Sequence, residues 1–533
     1  MTALKSRYDA IIVGAGHNGL TAAGYLSRAG WSVLALERRS IVGGAAVTEE
    51  VAPGCRVSSC SYIASMLTPA VIRDLDLAKY GLRMVPCDPA LNMPVSDGRL
   101  LRLWADPQRT SDEIRRYSVR DAQTYLQVDA ELKKLARYLQ PFFLEPPPNL
   151  AAKGLDRLYE VARLAKRFWN LSGADAAAMV RFLTGSLGEF LDNRFEAPET
   201  KRLMLGNNVY GKHGGPYDSG SMLGLLFHLL SGGDEGIQGF TGHVIGGMGS
   251  ITGALAQSAR DKGADILTDA EVARIIVKDG AACGVALEDG REFSAPVVLS
   301  NADPKRTFLG LVEQRDLDAE FAGDISAIRM DGPAAKVNLV LSERPQILGL
   351  PDDATPAERA VLSIMDDLEA VQRLYDKAKF GELSDDLWVD CVIPSEVDDT
   401  LCPPDRHMMT CFVQYVPFHL REGNWNDKRE AFGDRVVELI SRQAPNVASS
   451  VIARKVLTPL DLQEVYGLTE GNIFHGDLNL GQLFFMRPSS QWSQYATPVK
   501  GLYLCGAGAH PGGGVTGAPG RNAALAVLKS ARR

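Results

Sequence analysis

The stretch Ala10-Ile11-Ile12-Val13-Gly14-Ala15-Gly16-His17-Asn18-Gly19, continued by LTAAGYLSRAG to Gly30, decides the reading of the fold. A short apolar run, a glycine-rich turn and a helical segment closed by glycine predict strand, tight turn and helix. The spacing is G-x-G-x-x-G. Gly14 permits the turn, Gly16 lets a pyrophosphate approach the backbone, and Gly19 lets helix and strand pack closely. The helix N-terminus offers amide donors and a positive dipole end to the phosphates. A second apolar strand, Trp31 to Leu36, ends in Glu37, whose carboxylate is placed to accept hydrogen bonds from a ribose diol. A lone glycine turn is weak evidence. The ordered set of strand, glycines, helix, strand and acid predicts a dinucleotide site, with His17 and Asn18 in its wall. His17 is read there as a spacer or a hydrogen bond to backbone rather than a catalyst.

Two further glycine segments choose the dinucleotide. After Glu37 and Arg38 comes Gly43-Gly44-Ala45, a second turn that brings backbone against an extended flavin, where a nicotinamide domain would run straight into another crossover unit. Near the far end, an apolar run from Gly501 to Cys505 leads into Gly506-Ala507-Gly508-Ala509-His510-Pro511 and on through Gly514-Val515-Thr516-Gly517. A helix expected from about Arg521 follows. Such glycine density lets backbone pack on a planar ring, and the closing helix aims its dipole at it. FAD is the expected cofactor.

These residues carry a resemblance. GAGHNGLTAA with its acid and paired glycines, Ser300-Asn301-Ala302-Asp303-Pro304, Gly471 to Gly476, Leu483 to Pro488 and the tail AGAHPGGGVTGAPG are similar to phytoene desaturase-type flavoproteins. Within them the chain most resembles the pyridine nucleotide-disulfide oxidoreductase domain-containing protein 2 branch, over essentially its whole length. The turn carries His17-Asn18 where carotenoid desaturases proper are expected to carry a third glycine, which argues against a carotenoid substrate. The resemblance implies that Glu271-Val272 meets the adenine edge through backbone and that the Gly246-Gly247 turn lies over the flavin.

The predicted class is α/β, α+β overall. It comprises a Rossmann-like FAD-binding domain of the glutathione reductase/amine oxidase type, a discontinuous antiparallel-sheet substrate domain and a helical insertion. The FAD-binding domain is assigned to 1–104, 235–305 and 489–533, the insertion to 105–234 and the substrate domain to 306–488. Within 235–305, three runs (Val272 to Val277, Cys283 to Leu287, Phe293 to Leu299) predict an antiparallel meander. In the insertion, Tyr125, Val128, Leu132, Leu135 and Leu139 keep one apolar stripe. A helix near 151–169 combines apolar Leu155, Leu158, Val161, Leu164 and Phe168 with an excess of Lys and Arg. It admits peripheral contact with a membrane, but a solvated face over a core stripe is preferred.

With 45% hydrophobic and 23% charged residues, the 533-residue chain has an ordinary globular composition, which excludes disordered and collagen-like classes. Its 57 basic and 65 acidic residues give a net charge of -8, which argues against nucleic-acid binding. The eight cysteines form no C-x-x-C pair or zinc cluster, so disulfide chemistry is unsupported and free thiols in a reducing, cytoplasmic setting are expected. No secretory leader or long apolar span is read.

A flavin accepts hydride itself, so few catalytic side chains are needed. His510 and His475, both in glycine loops, are the candidate proton carriers, because imidazole titrates near neutrality. Tyr210, His213 and Tyr217 are candidate pocket groups, read as structural. The expected activity is removal of hydride from a C–H bond of an apolar or partly apolar small molecule to leave C=C. Electrons would pass to oxygen or a quinone. A reduced-flavin saturase, a redox-neutral isomerase and a non-catalytic FAD-bound partner-binding protein are the alternatives.

Overall fold

The computed structural model describes residues 4–149, 151–206, 211–230 and 241–532, without the side chains of 226 and 228. Five parallel strands run in the order Leu502–Leu504, Val297–Ser300, Ala10–Val13, Val33–Leu36, Asp265–Leu267. Ala10–Val13 and Val33–Leu36 are buried throughout. A parallel sheet covered on both faces needs this, which is why they read as unbroken apolar runs. The helix His17–Arg28 lies between the helices Gly249–Asp261 and Ala518–Ala531 and packs on both. Because the strands are parallel, their carboxyl ends share one edge, and the loops that leave them converge there. Backbone bonds hold that edge together. Gly14 N donates to Leu36 O (2.8 Å), Asn301 N to Val13 O (2.8 Å) and Cys505 N to Ser300 O (2.8 Å).

The predicted meander is corrected in its third strand. Val272–Lys278, Ala281–Leu287 and Glu292–Ser294 form the three-stranded antiparallel sheet. Val297–Ser300 leaves it to pair in parallel with Ala10–Val13. Pro296 separates the two segments that a single apolar run had merged.

A second sheet is antiparallel, in the order Val361–Ile364, Trp388–Val392, His407–Gln414, Ala334–Leu341, Val451–Leu457. Its two faces differ by the period-2 alternation of strands. Ala335, Val337, Leu339, Cys411 and Val413 pack against the helix Trp425–Ser441. The intervening residues, Lys336, Asn338, Asp390 and Thr410, are polar and also buried.

The helix Val119–Phe143 buries Tyr125, Val128, Leu132, Leu135 and Leu139, the stripe expected from sequence. Its N-cap is Ser118, whose Oγ accepts from Asp121 N (3.0 Å). The carbonyls at its other end are taken by the glycine tail and the C-terminal helix: His510 Nε2 bonds Phe142 O (2.6 Å) and Asn522 Nδ2 donates to Phe143 O (3.1 Å). The core around this helix also takes in Met365, Leu368 and Trp388, so insertion and substrate sheet share one interior. The hairpin Leu91–Pro94/Leu100–Leu103, grouped by sequence with 1–104, joins the antiparallel side: Asn92 Nδ2 donates to Val361 O (2.9 Å).

The helix Gly154–Phe168 departs from the preferred reading. Leu164 and Phe168 pack on the core, but Leu155 is 83% and Leu158 65% exposed, and no residue of the helix is fully buried. Among the described residues no helix is long and apolar enough to cross a membrane. All eight cysteines are free.

Candidate cofactor and substrate site

A cavity of about 580 Å³ opens between the carboxyl edge of the parallel sheet and the polar face of the antiparallel one. Its first wall is backbone. The two glycine turns predicted from sequence meet back to back: Gly16 and Gly43 form a bridge, and Gly43 N donates to Ala15 O (2.9 Å). Gly44, at φ +57°, lies 3.4 Å, measured from a built Cβ, from Gly16 Cα. A Cβ on Gly16 would come within 2.8 Å of Asn301 Nδ2, and one on Gly19 within 2.1 Å of Gly14 O. The helix that starts at His17 has Gly16 as its N-cap and no side chain capping it. Its first amides therefore lack a side-chain partner at the cavity wall. Asn18, whose buried Oδ1 has no partner among the described residues, lies beside them. This glycine cradle, an uncapped helix end and the acid Glu37 at the next strand end fit the pyrophosphate and ribose of FAD.

Gly14, Gly16, His17, Asn18, Glu37, Arg38, Gly44, Ala45, Val272, Gly514 and Val515 all line the cavity, as does His475. Glu37 is buried, which raises its pKa, while Ala15 N (3.0 Å) and Arg39 N (3.1 Å) donate to its carboxylate. Arg38 points outward from the turn: its Nη2 donates to Glu464 O (2.9 Å) and Val465 O (2.8 Å), tying the cradle to the helix Pro459–Tyr466. His17 bonds Gly514 O through Nε2 (3.1 Å), and burial pushes its pKa down to about 4. It joins the first turn to the glycine tail as a neutral ring.

Five predicted residues support the cradle from behind instead of lining it. Gly19 and Gly43 serve close packing. A Cβ on Gly506 would lie 2.5 Å from Asn301 O, and one on Gly508 2.3 Å from the Pro304 ring. Gly517, at φ +71°, is the N-cap of Ala518–Ala531, which starts three residues before the expected Arg521.

Two expectations are corrected. His510 does not reach the cavity. It is 1% exposed, bonded to Phe142 O, and pushed down to about 4 by burial, so it satisfies a helix-end carbonyl and is not placed to carry protons for the site. The Gly246-Gly247 turn also misses the cavity, because it packs on Thr48, whose Oγ1 donates to Gly246 O (3.0 Å) and accepts from Gly249 N (2.9 Å). Tyr217 donates to Asp192 Oδ2 (2.8 Å) and His213 bonds Arg329, neither at the cavity. Tyr210 lies outside the described residues.

His475 reaches the wall because Arg487, buried among backbone carbonyls, clamps its loop to the tail. Arg487 Nε donates to Ala507 O (2.9 Å) and Nη1 to Gln482 O (2.8 Å). Burial lowers the pKa of His475, and its Nδ1 has no partner among the described residues.

Sequence reasoning missed the second wall, which is made of side chains. Lys336 Nζ donates to Thr410 Oγ1 (2.6 Å), Thr410 Oγ1 to Asn338 Oδ1 (2.6 Å), and Asn338 Nδ2 to Ser59 O (3.1 Å). Ser363 donates to Asp390 alongside. Tyr62 stacks on Phe412, with ring centroids 5.7 Å apart. Asn301, Ala302 and Arg306 were also missed as site residues, although Asn301 lay inside a segment that carried the resemblance.

A Rossmann-type cradle opening onto a side-chain-lined chamber defines an FAD-dependent oxidoreductase. Residues 12–75 match the family model described as an NAD(P)-binding Rossmann-like domain. The chain is 39% identical to mouse pyridine nucleotide-disulfide oxidoreductase domain-containing protein 2, over 99% of this chain and 94% of that one, and it belongs to that family. It is also 26% identical to the neurosporene-forming phytoene desaturase of Rhodobacter capsulatus, over 97% of this chain and 93% of that one. Cyclohexylamine oxidase from Brevibacterium oxydans has the same fold at 18% identity, with a TM-score of 0.57 over 99% of this chain and 100% of that one.

Proposed function

We propose that the chain is a dehydrogenase that forms a C=C bond in a small molecule with an apolar body, held between the glycine cradle and the antiparallel sheet. The observation that carries this is the continuity of the cavity, which runs from Gly14 and Gly16 to Lys336 and Phe412 without a dividing wall. FAD supplies hydride acceptance when bound. The chain's own contribution is to orient and to keep water out. The cradle fixes the cofactor by backbone, while Ile63, Met66, Ile473 and Phe474 give the chamber apolar sides. Hydride leaves one carbon, a proton leaves its neighbour, and the pair of electrons left behind makes the double bond. We assign His475, an imidazole at the wall whose Nδ1 has no partner among the described residues, to receive the proton; burial keeps the ring unprotonated and so able to accept it, while weakening it as a base. We assign oxygen or a quinone as the final electron acceptor. The likeness to a protein named a phytoene desaturase supports bond formation of this kind, and the open chamber favours turnover over a binding-only flavoprotein.

The test is anaerobic mixing of the FAD-loaded protein with a panel of lipids, isoprenoids, apolar acids and cyclic ketones. Bleaching of the flavin by at least one member, with product lighter by two hydrogens, is expected. A flavin that none of them reduces overturns the reading.

A further inference from the structure

The chamber holds a buried cation with no part in the hydride and proton transfers. Lys336 is 1% exposed and lines the cavity. Among the described residues its ammonium makes one hydrogen bond, to Thr410, and it lies 4.0 Å from the centre of the Tyr62 ring. Among the described residues no carboxylate stands within ion-pair distance of it. An ammonium has three donors, and burying one without a counter-charge is costly. Among the described residues, none of the surrounding titratable groups forms an ion pair with it. Burial holds the Cys60 thiol up at about 12 and raises Tyr62 as well, while a hydrogen bond with Cys411, together with burial, raises Cys391. Cys411 lies on the far face of the sheet, and Asp390, two strands away beyond Phe412, favours the ammonium only from outside ion-pair distance and is bonded by Ser363.

We infer that Lys336 is a specificity-determining residue that binds a carboxylate of the substrate, so that the substrate is an apolar organic acid. This rests on the reading of the cavity as the substrate chamber. Two of the ammonium's donors remain for a carboxylate, and Tyr62 and Phe412 form a flat aromatic flank beside it. The chain of Thr410, Asn338 and Ser59 O fixes where the ammonium stands, so the distance from carboxylate to cradle selects which carbon faces the flavin.

The experiment is calorimetric titration of FAD-loaded protein with octanoate and, as an opposite-charge control of equal length, octylammonium. At neutral pH octanoate is expected to bind about tenfold or more tightly than octylammonium and to perturb the visible flavin band. Burial lowers the Lys336 pKa to about 8, so the preference should fade as pH rises through that value and the ammonium loses its proton. In Lys336→Met, which keeps the stem, the preference should vanish or reverse. Lys336→Gln, which keeps a donor toward Thr410, should lose it too. Octylammonium binding as tightly as octanoate to the wild type, or a preference that survives in either variant, overturns the inference. The pH series on unaltered protein decides it even if both variants fail to fold. The outcomes separate from those of the dehydrogenase test. A flavin reduced by no donor while octanoate selectivity holds removes the reaction and keeps the anchor, whereas reduction by neutral donors without selectivity does the reverse.

Discussion

The two walls of the cavity are made of different material. The cradle side is backbone and glycine: Gly14, Gly16, Gly44 and Gly514 bring peptide groups to the surface, and its few side chains bond backbone, as His17 does to Gly514 O. The sheet side is all side chain: Lys336, Asp390, Ser363, Tyr62 and Phe412. A pyrophosphate asks for amides at fixed positions, which only close backbone approach provides. A substrate is distinguished from its competitors by charge and shape, which only side chains provide. The comparison teaches where change is tolerated. Cofactor binding should break under substitutions that add one atom to the first wall, while changes to the second should alter ligand choice and leave the flavin in place.

The largest effect expected is at Gly19. In Gly19→Val the new Cβ would sit 2.1 Å from Gly14 O, an atom of the turn itself. Overpacking of this kind costs about 3 kcal/mol or more, and the protein should purify with little flavin or unfolded, as its visible absorbance and circular dichroism will show.

Next is His510, which tests the claim that the tail acts on the insertion helix and not on the chemistry. His510→Ala leaves Phe142 O without its partner, which should lower stability by about 1–3 kcal/mol in denaturant unfolding. The flavin spectrum should stay unchanged. The pH dependence follows the same ring. The folded value, about 4, lies below the ordinary 6.5, so between those values the unfolded chain binds the proton and the folded chain does not. This contribution to stability is whole above 6.5 and is lost as pH falls through the window toward 4. The decline in melting temperature across that window should be shallower in the variant than in the wild type.

Lys336→Met sharpens the contrast from the other wall. Replacing a buried, unpaired ammonium by an apolar side chain of similar length should be neutral or stabilising by about 1–2 kcal/mol, with flavin content retained. Loss of flavin in this variant would erase the distinction between the walls. The smallest effect is expected for His17→Ala, where one hydrogen bond to Gly514 O disappears. FAD affinity should fall by about fivefold, in line with a net bond worth about 1 kcal/mol.

The same contrast explains what could be read from the chain. Glycine spacing is a statement about backbone, so the two glycine turns that meet at Gly16 and Gly43 were legible, as were the packing role of Gly19 and the backbone bond of His17, whereas Asn301 and Arg306 beside them were not. Where sequence patterns are periodic the helices were legible too, as with Tyr125 to Leu139. The sheet face was not. Lys336, Thr410, Asp390 and Ser363 lie on four strands and meet only through the antiparallel pairing, and no local spacing announces that pairing. His510 misled for a related reason: its place in a glycine loop suggested a ring close to the flavin, but its partner is the carbonyl of Phe142, 368 residues away. The exposed Leu155 and Leu158 show the limit of a stripe, since an amphipathic pattern predicts a helix and does not say what covers it.

A flavin held in the glycine cradle must be open to electron transfer for the chamber to do redox chemistry. The measurement is the visible spectrum of the purified protein under anaerobic conditions, before and after addition of dithionite and again after air is readmitted. One flavin per chain that bleaches on reduction and recovers with an electron acceptor is the predicted result. A colourless protein that cannot be reconstituted with FAD would contradict it.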